Sequence, residues 1–159
     1  MTSEIHIRWI TEPDELSRAL AIRERVFCQE QGVSREDELD GFDSACEHLL
    51  ALTRDERRAV ATLRLHVTGS VARIGRIAVE RDWRRRGVAS ELLQRALARA
   101  RERGCQTARL AAQLDAQPLY ENAGFAVRSE PFEEAGITHV WMTLPLSPIV
   151  GVRLQPGVL

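Results

Sequence analysis

The sequence predicts a mixed α/β (α+β) fold with elements in the order β-α-β-β-β-α-β-α-β-β, seven strands in all. Two observations carry this. Short apolar stretches, alternating or continuous, read as strands, and longer stretches between them repeat at helical spacing. Gly and Pro fall at the junctions, where a turn or helix end needs them. At 159 residues, 44% apolar and 28% charged, the chain is long enough to bury a real core as one domain.

The elements follow in order. Ile5, Ile7 and Trp9 alternate with polar residues as a first strand. Pro13 suits the first turn of a helix, with Asp14 and Glu15 beside it. Leu16, Leu20, Arg23 and Phe27 continue that helix to about Glu30. Gln31 to Ser44 is a polar, acidic loop. His48 to Thr53 and Ala59 to Val67 are strands joined at Asp55-Glu56, and Thr68-Gly69-Ser70 turns the chain into Val71 to Val79. A helix from Val88 to Arg103 stops at Gly104. Thr107 to Ala112 is a strand, and Ala116 to Asn122 a short helix. Phe125 to Phe132 and Thr138 to Leu144 form a closing antiparallel pair. Residues 147–159, with Pro148 and Pro156, form a tail outside a domain spanning 1–146.

Composition excludes several classes. A net charge of −1 gives no field for nucleic acid or anionic membrane. Arg81 and Arg84 to Arg86 are basic, but 5% aromatic content brings no stacking run. No apolar run approaches the ~20 residues of a membrane helix, and the first residues lack a signal-like pattern, so a cytoplasmic location is expected. Cys28, Cys46 and Cys105 are widely spaced, suit core thiols and make no metal site.

Chemistry concentrates at Arg84-Arg85-Arg86-Gly87-Val88-Ala89, after Ile77-Ala78-Val79 and before Leu92-Leu93. The first N–H groups of a helix lack intrahelical partners, and the helix dipole adds positive charge there. Such a turn suits a phosphate or pyrophosphate. No Gly-x-Gly-x-x-Gly is present, and a Walker loop would need a lysine, which the chain lacks. A second cluster, Gln113, Ala116 and Leu119-Tyr120-Glu121-Asn122-Ala123-Gly124-Phe125, lies downstream.

These two motifs, in this order, resemble those of the GNAT N-acetyltransferases. Val26-Phe27-Cys28-Gln29-Glu30-Gln31-Gly32, Glu47-His48-Leu49 and Ala135-Gly136-Ile137-Thr138-His139 are similar to the ElaA-like branch. The resemblance implies a mostly antiparallel twisted sheet of about seven strands with three to four helices. It implies acetyl-CoA as cosubstrate, a small-molecule primary amine as acceptor and direct attack in a ternary complex, and it allows a homodimer. The backbone of Ile77, Ala78 and Val79 would pair with pantetheine, and Val79 would supply the oxyanion donor. The turn at Arg84, Arg85, Arg86, Gly87, Val88, Ala89 and Ser90 would hold the pyrophosphate. Gln113 stands where many members have asparagine, and its longer amide would bond the cofactor with a different reach; Tyr120 would protonate the departing thiolate.

Glu30, Asp43, His48 and His139 are the candidate bases. Arg23-x-x-x-Phe27, Glu38-x-Asp40-x-x-Asp43 and Arg64 are similar to the charged cluster of acyl-homoserine-lactone synthases. On that likeness Glu38, Asp40 and Asp43 pair with Arg23 and Arg64, and surplus negative charge favours a cationic amine. Synthase-like acyl transfer and a non-catalytic CoA-binding module are the alternative functions.

Overall fold

The computed structural model describes residues 4–147; of the expected tail, all but Ser147 lies outside them. Eight strands form one sheet in the order β1-β2-β3-β4-β5-β8-β6, with β7 also on β8. They are β1 (Ile5–Trp9), β2 (Glu47–Thr53), β3 (Ala59–Thr68), β4 (Val71–Val79), β5 (Thr107–Gln113), β6 (Ala126–Val127), β7 (Phe132–Glu134) and β8 (Ile137–Pro145). All neighbours are antiparallel except β4 and β5. The helices are α1 (Pro13–Arg23), α2 (Arg35–Glu38), α3 (Val88–Glu102) and α4 (Gln117–Asn122).

Helix α3 follows its pattern. Leu92, Leu93, Ala96, Leu97 and Ala100 make one stripe, and all are buried against the sheet. Tyr120 and Phe125 close this core near α4. On the other sheet face Ala19, Ile22 and Val26 pack on Leu50, Leu52 and Ala78. That cover spans the β2–β4 side and leaves the β5 and β8 face open.

Three expectations change. The first helix does reach Glu30, but its winding widens from α to π at Glu24; apolar spacing over two turns does not separate the windings. The acidic loop contains α2, whose N-terminus is capped by Ser34 Oγ accepting from the Asp37 N–H at 3.1 Å. The strand expected over Phe125 to Phe132 splits into β6 and β7. Pro131 has no N–H to donate, and Ser129 Oγ takes the place of a backbone acceptor for the Trp141 N–H at 2.9 Å. The sheet therefore has eight strands. A two-residue turn at Ala135 and Gly136, with φ of 53° and 76°, joins β7 to β8.

Candidate active site

The parallel ladder between β4 and β5 covers only Val71 to Arg73 against Thr107 to Arg109. Beyond it the strands part. A bulge helps: Thr62 faces Ala78 and Arg64 faces Gly75, so Arg76 and Ile77 share the place opposite Leu63. Arg76 sits there at φ 50°. The facing edges of β4 and β5 are left unpaired with each other, and a cavity of about 1070 Å³ lies along them. Ile77, Val79, Gln113, Tyr120 and His139 line it, while Ala78 points into the α1 core.

At the open end of this seam the chain turns into α3. Arg85 and Gly87 take positive φ, 61° and 82°. Gly87 is the N-cap and offers no side chain, so the N–H groups from Arg85 to Ser90 have no hydrogen-bond partner among the described residues. Consecutive bare donors at a helix N-terminus form an anion nest. These donors are chemically suited to a pyrophosphate.

The arginines of this turn divide their work. Arg84 donates to both carboxylate oxygens of Glu30, at 3.0 and 2.8 Å, and through Nε to the Val79 carbonyl at 2.9 Å. It ties the turn to the π-wound segment, so its side chain is committed before any ligand arrives. Arg86 lies over Trp83 at 4.5 Å and pairs with Glu4. Arg85 is exposed and contributes its one bare backbone N–H to the nest edge.

Tyr120 is 8% exposed, lines the cavity and meets Phe125 edge-on at 6.1 Å. Burial, with the Asp115 charge, pushes its phenol up to about 12. It holds its proton at neutral pH. Gln113 exchanges amide hydrogen bonds with Gln31 across the seam, at 2.9 and 3.5 Å.

The four candidate bases separate by place. Glu30 is occupied by Arg84 and Arg81, whose hydrogen bonds, opposed by burial, hold its carboxyl below the usual range. Burial alone would raise the Asp43 carboxyl, but Arg23 and Arg64 outweigh it. His48 is buried away from the cavity; its Nε2 meets the Asp43 carbonyl at 2.9 Å, and burial pulls its imidazole down. His139 alone among the four lines the cavity. Its Nδ1 lies 2.7 Å from the Ile137 carbonyl and its ring stacks on Phe132 at 5.9 Å. Bonding to a carbonyl requires the proton on Nδ1, which leaves Nε2 as the acceptor.

The acidic cluster forms as the sequence suggests. Arg23, 1% exposed, donates to Glu38 at 2.9 Å and to Asp43 at 2.8 Å. Arg64 reaches Asp40 at 2.9 Å and Asp43 at 3.1 Å. The surplus negative charge does not form. Arg76, unforeseen from sequence, bonds Glu38 at 2.8 Å and Asp40 at 3.3 Å, so three guanidiniums match three carboxylates. Cys46 stands in the cavity wall rather than the core, its thiol pushed up by burial, while Cys105 is a core thiol. Phe27 and Gln31, quoted above only as parts of motifs, also line the cavity, as do Arg73 and Arg109, which were not singled out. The strand alternation of Arg73 and Arg109 was the available signal.

Comparison with known proteins fits this geometry. The family model described as an acetyltransferase (GNAT) domain matches residues 24–146. The uncharacterized protein YyaT of Bacillus subtilis is 34% identical over 146 residues, which cover 90% of this chain and 97% of that protein. A structure of a candidate N-acetyltransferase from Lactobacillus plantarum shares 30% identity, covering 91% of this chain and all of the other, with a TM-score of 0.84. Escherichia coli ElaA shares 26% identity over 87% of this chain and 98% of its own, with a TM-score of 0.77.

Proposed function

The chain belongs to the GNAT acetyltransferase family and is an N-acetyltransferase; from that premise we propose that it moves an acetyl group from acetyl-CoA to a primary amine of a small molecule by direct attack in a ternary complex. The single observation that carries this reading is the run of bare N–H groups from Arg85 to Ser90 at the mouth of the parted β4–β5 seam.

The residues take the following roles. The nest from Arg85 to Ser90 holds the pyrophosphate, with Arg84 and Arg86 fixing the shape of its turn. The open β4 edge at Ile77, Ala78 and Val79 pairs with the pantetheine arm as an added strand would. The amine nitrogen attacks the thioester carbonyl and forms a C–N bond. Negative charge on the carbonyl oxygen is met by a backbone N–H near Val79. The C–S bond then breaks, and Tyr120 gives its proton to the departing thiolate. His139 Nε2 accepts the proton that the amine loses. Asp40 and Arg64 act here as the wall that sets the pocket, with Asp43 bracing Arg64 from behind, and Glu30 and His48 act through Arg84 and Asp43.

Residues 1–146 are taken as one acyltransferase unit, at work in the cytoplasm. No helix among the described residues is long and apolar enough to cross a membrane.

Calorimetric titration with acetyl-CoA, free CoA and S-adenosylmethionine tests the reading. Micromolar binding of both CoA species, followed by thiol release with an amine, is expected. Absence of CoA binding overturns it, and binding of S-adenosylmethionine alone favours the synthase chemistry.

A further inference from the structure

Arg73 on β4 and Arg109 on β5 are register partners on the last rung before the seam opens. Both are exposed and line the cavity. Both guanidiniums lie against one indole, that of Trp141, at 5.0 and 3.8 Å from its centroid. Trp141 in turn stacks on Phe132 at 5.5 Å, and Phe132 on His139. An aromatic row thus runs from the two arginines to the imidazole.

Neither arginine has an ion pair or hydrogen bond among the described residues. The other arginines that line the cavity, Arg64, Arg76 and Arg84, are each paired with a carboxylate. Asp37, Asp115 and Glu134 also line the cavity, on α2, before α4 and on the β7–β8 hairpin, but they do not pair with these two guanidiniums. Two like charges held at one ring repel each other. A carboxylate or phosphate placed between them removes that repulsion and takes up guanidinium forks that match two of its oxygens.

We infer that the acceptor amine carries a carboxylate or phosphate, which Arg73 and Arg109 hold on the cavity floor. This rests on the transferase reading of the same cavity. The spacing narrows the class. Trp141 is two residues along β8 from His139, about 7 Å at the rise of a strand. The amine and the oxyanion are therefore separated by a chain such as that of an ω-amino acid, a dipeptide or an aminoalkyl phosphate.

The test uses the purified enzyme at saturating acetyl-CoA and reads thiol release. The acceptors are 5-aminopentanoate, 6-aminohexanoate, glycylglycine and 4-aminobutyl phosphate, against the primary amides of the first two and spermidine. Each acid is expected to exceed its amide at least tenfold in kcat/KM, through KM. In Arg73→Gln and Arg109→Gln the ratio falls toward one, while acetyl-CoA affinity and Tm stay put. The carboxylate and phosphate arms say which oxyanion is used. Equal use of acid and amide, preference for spermidine, or a ratio that survives the double substitution overturns the inference.

If no amine turns over, the transferase reading fails on its own terms. The inference is then read by calorimetry of N-acetyl-6-aminohexanoate against its amide. A tenfold preference that vanishes in the double variant supports it, and equal binding overturns it.

Discussion

Arg64 on β3 and Arg76 on β4 each bond two carboxylates, whereas Arg73 and Arg109, a few residues along the same cavity, bond none among the described residues. The first pair belongs to a closed network with Arg23, Glu38, Asp40 and Asp43 that welds α1, α2 and the strands together. The second pair lies on the open floor. In the sequence all four look alike. Their partners divide them: a charge answered inside the protein builds the scaffold, and one left unanswered is available to a ligand. The same division holds for the backbone, where N–H groups along the closed ladders are paired and those from Arg85 to Ser90 are bare.

The sharpest way to break this comparison is to open the network. Glu38 is 4% exposed and accepts from both Arg23 and Arg76. Glu38→Ala leaves a buried guanidinium short of a partner, a change that costs about 3–5 kcal/mol. In a domain of this size that lowers Tm by about 10 °C. Arg109→Gln, removing an unanswered charge, should stay within about 0.5 kcal/mol of the parent. Thermal unfolding of both variants checks the pair. Equal losses would erase the distinction between scaffold and floor.

A second substitution strikes the bare backbone. Gly87 caps α3 at φ 82° with no side chain. Gly87→Glu places a carboxylate among the donors and forces a side chain into a left-handed position, at about 1 kcal/mol. Acetyl-CoA affinity is expected to fall at least a thousandfold while circular dichroism keeps the folded spectrum. Calorimetry reads it, and retained affinity would move the pyrophosphate elsewhere.

The chemistry should respond less steeply. Tyr120→Phe removes the cavity phenol and is expected to lower kcat about a hundredfold with little change in acetyl-CoA affinity. His139→Gln should lower kcat by about tenfold or more with little change in acetyl-CoA affinity. An unchanged kcat would remove His139 as the proton acceptor.

What was legible in the sequence follows from range. The anion turn, α3 and the tyrosine motif are local: Gly87, the apolar stripe from Leu92 to Ala100 and the Tyr120 cluster lie on single elements. The pairing of Arg23 and Arg64 with the acidic loop was readable only through likeness to another family. Arg76 escaped because its role depends on a β-bulge, and a bulge is a property of register between two strands. The break at Ser129 to Pro131 did have a local signal in Pro131, but the Ser129 hydroxyl that takes over as acceptor is set by the pairing with β8. His48 and His139 are indistinguishable in composition; only burial and the cavity wall separate them. The surplus negative charge expected of the loop is missing by one charge, that of Arg76.

The smallest expected effect tests the network from its rim. Asp43 accepts from Arg23 and Arg64 at 2.8 and 3.1 Å. Burial alone would raise its carboxyl, but these hydrogen bonds and charges hold it below the ordinary value. A carboxyl lowered in the folded state stabilises the protein above its unfolded value, about 3.9, and that contribution is lost as pH falls through the folded value. Asp43→Asn keeps one acceptor and removes the charge, at about 1–2 kcal/mol near neutrality. The gap between parent and variant should therefore be full at pH 6 and shrink below about pH 3.9. Urea unfolding across that range checks it. A gap independent of pH would mean that the carboxylate contributes shape rather than charge, and the closed network would then be held by Glu38 and Asp40 alone.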